Sequence, residues 1–391
     1  FATDLGVETS LDVCDALGLS GLTISSDTNC LVITGEVNFE FDWGDFSTAP
    51  DPDARNEITN NTVEFDQGVG PNDWNTTVTG FLQFKATADS DFGPAVAVVN
   101  LGFNAANLNN NNLESVFLNE LWVGIGDTTM IMAGLKGSIF NTDDDEPLNW
   151  LGLFNSQMVD AGVGFDTGPD TGGIVLQVVH DMGNGLSIGG ALEDLNNNGT
   201  AVGVLAYASD TVSAHASFAV NDILSGGFSD WFLHAGFTGT FDTVKVVGAI
   251  AAEEDYWNIL GSASITFDTI TLAVSGEADD TPVDDMQFGL GGSITAAIDD
   301  GVSVSGGVRF WQEEDGDQTL QAAVGVTADV SEGLSATAEA GWVGDDLGAE
   351  LFYGKGELTW APGGGFTATA SAEANTLGAF KLGTTMSKTI E

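Results

Sequence analysis

From Leu31 onward the chain alternates with a period of two for longer than a globular strand allows. Leu31, Ile33, Gly35, Val37, Phe39, Phe41 and Trp43 interleave with Val32, Thr34, Glu36, Asn38, Glu40 and Asp42. Successive side chains of a strand point to opposite faces. This run therefore has one apolar face, ending in an aromatic, and one polar, acidic face. Strands of globular proteins are mostly about 5–6 residues long, whereas a tilted membrane-spanning strand needs roughly 9–11.

The same rhythm returns as hairpins over residues 78–88 and 95–103, 117–125 and 130–136, 174–182 and 186–192, 202–208 and 212–220, 231–241 and 244–252, 257–267 and 270–276, 286–298 and 302–311, 320–330 and 334–342, and 351–360 and 366–374, with 380–390 closing the chain. The turns carry Asn184-Gly185, Ser209-Asp210 and Asp300-Gly301, as tight hairpins require. Every second connection is tight, and several of the others are longer and acidic. Short turns at one end and longer loops at the other mark an outer-membrane barrel. Adding 31–43 and the closing run gives about 20 strands, with 18 or 16 as alternatives. An even number lets the first and last strands pair antiparallel and leaves no edge. The expected fold is all-β: a transmembrane antiparallel up-and-down barrel over 31–391, preceded by a strap over 1–30 in which residues 7–17 suit a short helix.

Composition narrows the class. Asp and Glu number 58 against 8 Lys and Arg, a net charge of −50. A disordered acidic chain would be poor in aromatic and β-branched residues, but this one has 24 Phe and 9 Trp. Its charge repels a phosphate backbone, which excludes nucleic acid as a partner. No run approaches the roughly 18 apolar residues of a spanning helix, which does not make the protein soluble, because transmembrane strands give a much weaker signal per segment. Trp43, Trp231, Tyr256, Trp257, Trp311, Trp342, Tyr353 and Trp360 fall near strand ends, where interfacial girdles are expected. The partners implied are outer-membrane lipid and lipopolysaccharide. The chain begins at Phe1, as expected of an exported barrel that has lost its leader. Cys14 and Cys30, an even pair in an exported protein, read as a disulfide; two buried thiols are the alternative.

Two connections stand out by length, 44–75 and 137–173. Loops this long are mostly functional or disordered. The second holds Asp143, Asp144, Asp145 and Glu146, then an apolar stretch over 148–163 with Trp150 and Phe154. The apolar part suits an anchor inside the barrel and the acidic part a face on the pore, so 137–173 is expected to fold inward as a constriction. Carboxylates there would attract cations. A solvated loop tip is the plainer reading of the same run. Lys136 stands beside the loop, and alternation turns Lys85, Arg309 and Lys355 into the lumen as a sparse positive counter-wall. No catalytic constellation is visible, and no cofactor is expected. Acidic oxygen-rich segments can hold Ca²⁺, with Asp143 and Asp145 the leading pair and 51–53 and 313–317 further candidates; none has EF-hand spacing.

Specific stretches resemble the alphaproteobacterial family of trimeric outer-membrane porins: Val13-Cys14-Asp15-Ala16 and Thr28-Asn29-Cys30-Leu31 leading into the first strand, Gly80-Phe81-Leu82-Gln83-Phe84-Lys85-Ala86, the stretch 118–140, and Gly183-Asn184-Gly185-Leu186-Ser187 followed by Leu192-Glu193-Asp194. The resemblance covers about the first half of the chain. It implies a homotrimeric diffusion channel, an inward loop at 137–173 and a Cys14–Cys30 disulfide. Family members usually have about 16 strands and line the pore with arginines, which are nearly absent here; they also end on an aromatic residue, whereas this chain ends Ile390-Glu391. The expected activity is passive, cation-preferring diffusion of ions and small hydrophilic solutes. The alternatives are a substrate-specific channel, which needs more lumen aromatics than the scattered Phe81, Trp122 and Trp311, and an acidic β-rich surface or adhesion protein.

Overall fold

The structure, a computed structural model, describes residues 13–14, 17, 19, 21–26, 28–45, 73–108, 111–151, 162–228, 230–280, 286–312, 316–346, 348 and 350–390. Its elements are β1 (Thr23–Ser25), β2 (Asn29–Asp45), β3 (Asp73–Ala88), β4 (Ala95–Leu108), β5 (Asn111–Ile125), β6 (Thr129–Leu135), β7 (Ile174–Gly183), β8 (Leu186–Glu193), β9 (Thr200–Ala208), β10 (Val212–Val220), β11 (Trp231–Phe241), β12 (Val244–Glu253), β13 (Tyr256–Phe267), β14 (Ile270–Asp280), β15 (Gln287–Asp299), β16 (Val302–Gln312), β17 (Gln318–Ser331), β18 (Leu334–Asp345), β19 (Glu350–Gly363), β20 (Phe366–Asn375) and β21 (Phe380–Ile390).

From β2 onward each strand pairs antiparallel with the next, and β21 returns to β2 from Gly35↔Ile390 to Asp45↔Phe380. The sheet is a closed barrel of the expected 20 strands, with β1 added outside the ring. Tight turns fill one end: Asn184 and Gly185 both have positive φ (56° and 80°), the pair that a two-residue type I′ hairpin needs. Among the described residues no helix is long and apolar enough to cross a membrane.

The strands outrun the sequence expectation at the opposite end. β3 begins at Asp73, and β4 and β5 extend until only 109–110 separate them. Thr76, Thr77 and Asn104 give no apolar face to read there, yet their backbones continue the ladder. The expected strap over 1–30 contributes β1, paired to β2 through Thr23↔Val32 and Ser25↔Cys30. Cys14 and Cys30 form a disulfide. Val13 and Cys14 are helical, while most of the helix expected over 7–17 lies outside the described residues.

The exterior is apolar: Val37, Val123, Val274, Val308, Val324, Phe352 and Leu358 are all exposed. Water does not favour such a band, but lipid does. Trp43 packs edge-on against Phe380 at one rim, and Trp360 against Phe366 at the other. Three of the aromatics near strand ends face inward, Trp311 as its alternation implies and Tyr256 and Tyr353 against the girdle expectation. Tyr256, Trp311 and Tyr353 are buried, because their registers pair them with Glu253, Thr319 and Asn375 on the lumen side.

An inward loop on a serine and carboxylate wall

After β6 the chain turns into the barrel. One buried carboxylate clamps both feet of the loop: Glu193 accepts from the backbone of Ile139 (2.9 Å) and Gly172 (2.7 Å) and from Gln177 Nε2 (2.9 Å). Gln177 also donates to the Gly137 carbonyl. The wall strands spend their own backbone groups on each other, so the loop's N–H groups must find side-chain acceptors. The outgoing limb finds serines. Asn141 N donates to Ser217 Oγ (2.9 Å), Leu148 N to Ser262 Oγ (2.8 Å) and Trp150 N to Ser293 Oγ (2.9 Å). The return limb finds carboxylates: Gly162 N donates to Glu277 (3.2 Å), and Thr167 donates twice to Glu253 (3.0 and 2.8 Å).

Close approach is built into the wall. A Cβ on Gly236 would lie 2.6 Å from the Asp143 carbonyl, and one on Gly325 would lie 2.6 Å from the Trp150 ring. Leu151 packs among Ala323, Val343, Leu351, Tyr353 and Ala379, and Val163 among Val247, Ala249, Ala251 and Leu260. The apolar stretch thus anchors the loop at both described ends. Residues 152–161, including Phe154, lie outside the described residues.

The acidic run divides. Asp143 and Glu146 are exposed, while Asp144 and Asp145 are partly buried against the wall. Asp144 accepts from Ser213 Oγ and lies 3.5 Å from His215 Nδ1. Burial alone would raise the Asp144 carboxyl, but hydrogen bonds from Ser213, Thr238 and His215 hold it below its ordinary value. His215 Nε2 meets His234 Nδ1 at 2.9 Å, the rings within 7° of parallel. His234 Nε2 faces Asp145 Oδ2 at 4.0 Å. Burial, helped by Asp143 and Glu146, raises the Asp145 carboxyl. Sequence reasoning missed this pair, because His215 and His234 meet diagonally across neighbouring strands, where Ser217 opposes His234 and Gly236 opposes His215.

The bases do not form an open counter-wall. Lys136 lies 5.4 Å over the Trp122 ring, and Lys355 pairs with Glu339 at 3.6 Å. Arg309 is 1% exposed and bonded to Gln321. Lys85 does face the lumen, opposite Val32 and Val98. Two further lysines, missed in the sequence, share the lumen face: Lys245 opposite Ser264, and Lys381 opposite Glu373. Of the pair named for Ca²⁺, Asp143 is exposed and Asp145 is half-buried facing His234. Among the described residues no group of three His, Cys, Asp or Glu could hold a metal ion; 51–53 and 313–315 lie outside them.

No family model matches the chain, and no curated protein matches it. Among solved structures it is similar to OccAB4 of Acinetobacter baumannii (TM-score 0.48, 10% identity, 93% of this chain and 98% of that one). It is also similar to a variant of the Rhodopseudomonas blastica porin (0.43, 10%, 92% and 99%) and to OmpT, an outer membrane protein of Vibrio cholerae, in its trimer form (0.42, 10%, 93% and 100%). At these scores the barrel is assigned on its own closure and exterior.

A closed, even-stranded antiparallel barrel with an apolar exterior is an outer-membrane protein, and this chain is one. Ser213, His215 and Asp144 cluster, but Ser213 bonds to the carboxylate and not to an imidazole nitrogen. The trio therefore lacks the nucleophile–base contact of acyl transfer.

Proposed function

We propose that the protein is a porin, a passive channel for ions and small hydrophilic solutes that prefers cations. One observation carries the preference: Asp143 and Glu146 are exposed on the inward loop, Lys355 pairs with Glu339 and Arg309 is buried against Gln321, and the lumen lysines Lys85, Lys136, Lys245 and Lys381 stand in a chain with 58 Asp and Glu. Carboxylates in such excess beside a low-dielectric wall concentrate cations. The protein acts as a homotrimer in this reading. The sequence resemblance implies it, and Gly190, Gly306, Gly354 and Gly356 lie on the outward face in register with apolar neighbours, where barrels can approach closely.

The test is a reversal potential in a planar bilayer under a KCl gradient. Large stepwise conductances with cation preference support the reading, and Asp143→Asn with Glu146→Gln should shift the potential toward zero. Absence of conductance from folded protein, or anion preference, would overturn the channel or its selectivity respectively. Mass measurement in detergent tests the trimer.

A further inference from the structure

The histidine pair has a proton count that its geometry fixes. An ionised carboxylate only accepts hydrogen bonds, so His215 turns its Nδ1–H to Asp144. Its Nε2 must then accept, and His234 Nδ1 donates across 2.9 Å. This leaves His234 Nε2 with a bare lone pair. That atom is fully buried and has no hydrogen-bond partner, and Asp145 Oδ2 lies 4.0 Å from it. A lone pair facing a carboxylate is repulsive. One proton between them makes the contact attractive, whether it is carried by the imidazole or by the carboxyl. A second proton would have to enter on His215 Nε2, setting N–H against N–H, so the pair holds one.

The carboxylates nearby attract that proton, against the burial of the His234 ring. The outgoing limb brings Asp143, Asp144, Asp145 and Glu146, and the return limb brings Asp166, with Phe165 against the His234 ring at 6.2 Å. From β12, Ala251 stands opposite His234, with Glu253 engaged by Thr167. From β9, Ala206 stands opposite His215. Every charged group named here is acidic, so none repels a shared proton.

We propose that the Asp144–His215–His234–Asp145 chain is a one-proton latch that fastens the acidic stretch of the inward loop to the barrel wall, closed when the proton is bound and loose when it is lost. As pH rises, Asp145 faces a bare imidazole on one side and Asp143 and Glu146 on the other, and its contact with the wall loosens while Asp144 stays bonded to Ser213. The latch joins loop to wall whether or not the barrel conducts, although its effect on permeation rests on the channel reading.

The test is hydrogen exchange, read by mass spectrometry on peptides spanning 138–151 of detergent-folded protein and corrected for the intrinsic pH dependence of exchange. Wild-type protection should be several-fold higher at pH 5 than at pH 8. Asp145→Asn places an amide donor before His234 Nε2 and should be protected equally at both pH values. His234→Gln should be poorly protected at both. Equal wild-type protection at the two pH values, or a pH dependence that persists in Asp145→Asn, overturns the latch; the second result stands even if His234→Gln does not fold. A barrel without conductance would sink the channel reading and leave this profile intact.

Discussion

The phenol of Tyr353 crosses directly over Gly341 on the neighbouring strand. From there its hydroxyl donates to Glu339 (2.7 Å) and accepts from Gln321 Nε2 (2.8 Å). The two residues are directly paired in β18 and β19. Any Cβ at position 341 would fall inside the ring's contact radius. Gly341→Ala should therefore push the ring aside, unmake both hydrogen bonds and cost about 1–3 kcal/mol. Urea unfolding of the barrel refolded in lipid vesicles measures it; Tyr353→Phe, which keeps the ring, should cost about 1 kcal/mol.

Glu193 holds both feet of the loop while itself being fully buried. Glu193→Ala leaves two backbone donors and Gln177 short of an acceptor, a loss of about 1–3 kcal/mol per stranded group. The barrel should still close, since the ladder does not involve this side chain. Protease should cut within 137–173 in the variant under conditions that spare the wild type.

Acid should release Asp144. Its carboxyl is held below the ordinary value by donors from Ser213, Thr238 and His215. A depressed carboxylate contributes stability that is complete above the unfolded value of about 3.9 and is lost as pH falls through the folded one. Pepsin sensitivity of the outgoing limb should thus rise below about pH 4, and Asp144→Asn should show the raised sensitivity already at pH 5. This loss lies on the acid side of the proton latch and has the opposite sign.

Reducing Cys14–Cys30 should free the strap without opening the barrel. The bridge closes a short loop, a sequence separation of 16, and such loops are worth about 3 kcal/mol. Exchange of the β1 amides with and without reductant tests this, and the β2–β21 seam should remain protected.

Much of the barrel was legible because lipid and lumen impose opposite chemistry on alternate residues. Leu31 to Trp43 shows this without ambiguity, and so does the hairpin around Asn184-Gly185. The rims were not legible, because above the apolar band Thr77 and Asn104 sit in strands that have no oily face. The inward course of 137–173 could be read from its mixed composition. Its seating could not. Ser217, Ser262 and Ser293 look like ordinary lumen residues until the loop's amides reach them. Arg309 failed for the related reason that alternation gives a side chain's direction and says nothing of its burial or its bond to Gln321. His215 and His234 lie on strands joined by a loop whose length leaves the register open.

Strand β21 stops pairing with β2 at Gly35, and the adjoining edge is already taken: Leu22 accepts from Ile33, and Thr23 lies opposite Val32. A closing strand that slid two residues too far along the first would run into this tethered segment. The strap therefore acts as a stop for the seam. It limits how far the last strand can slide along the first, at the joint of the ring that no loop connects.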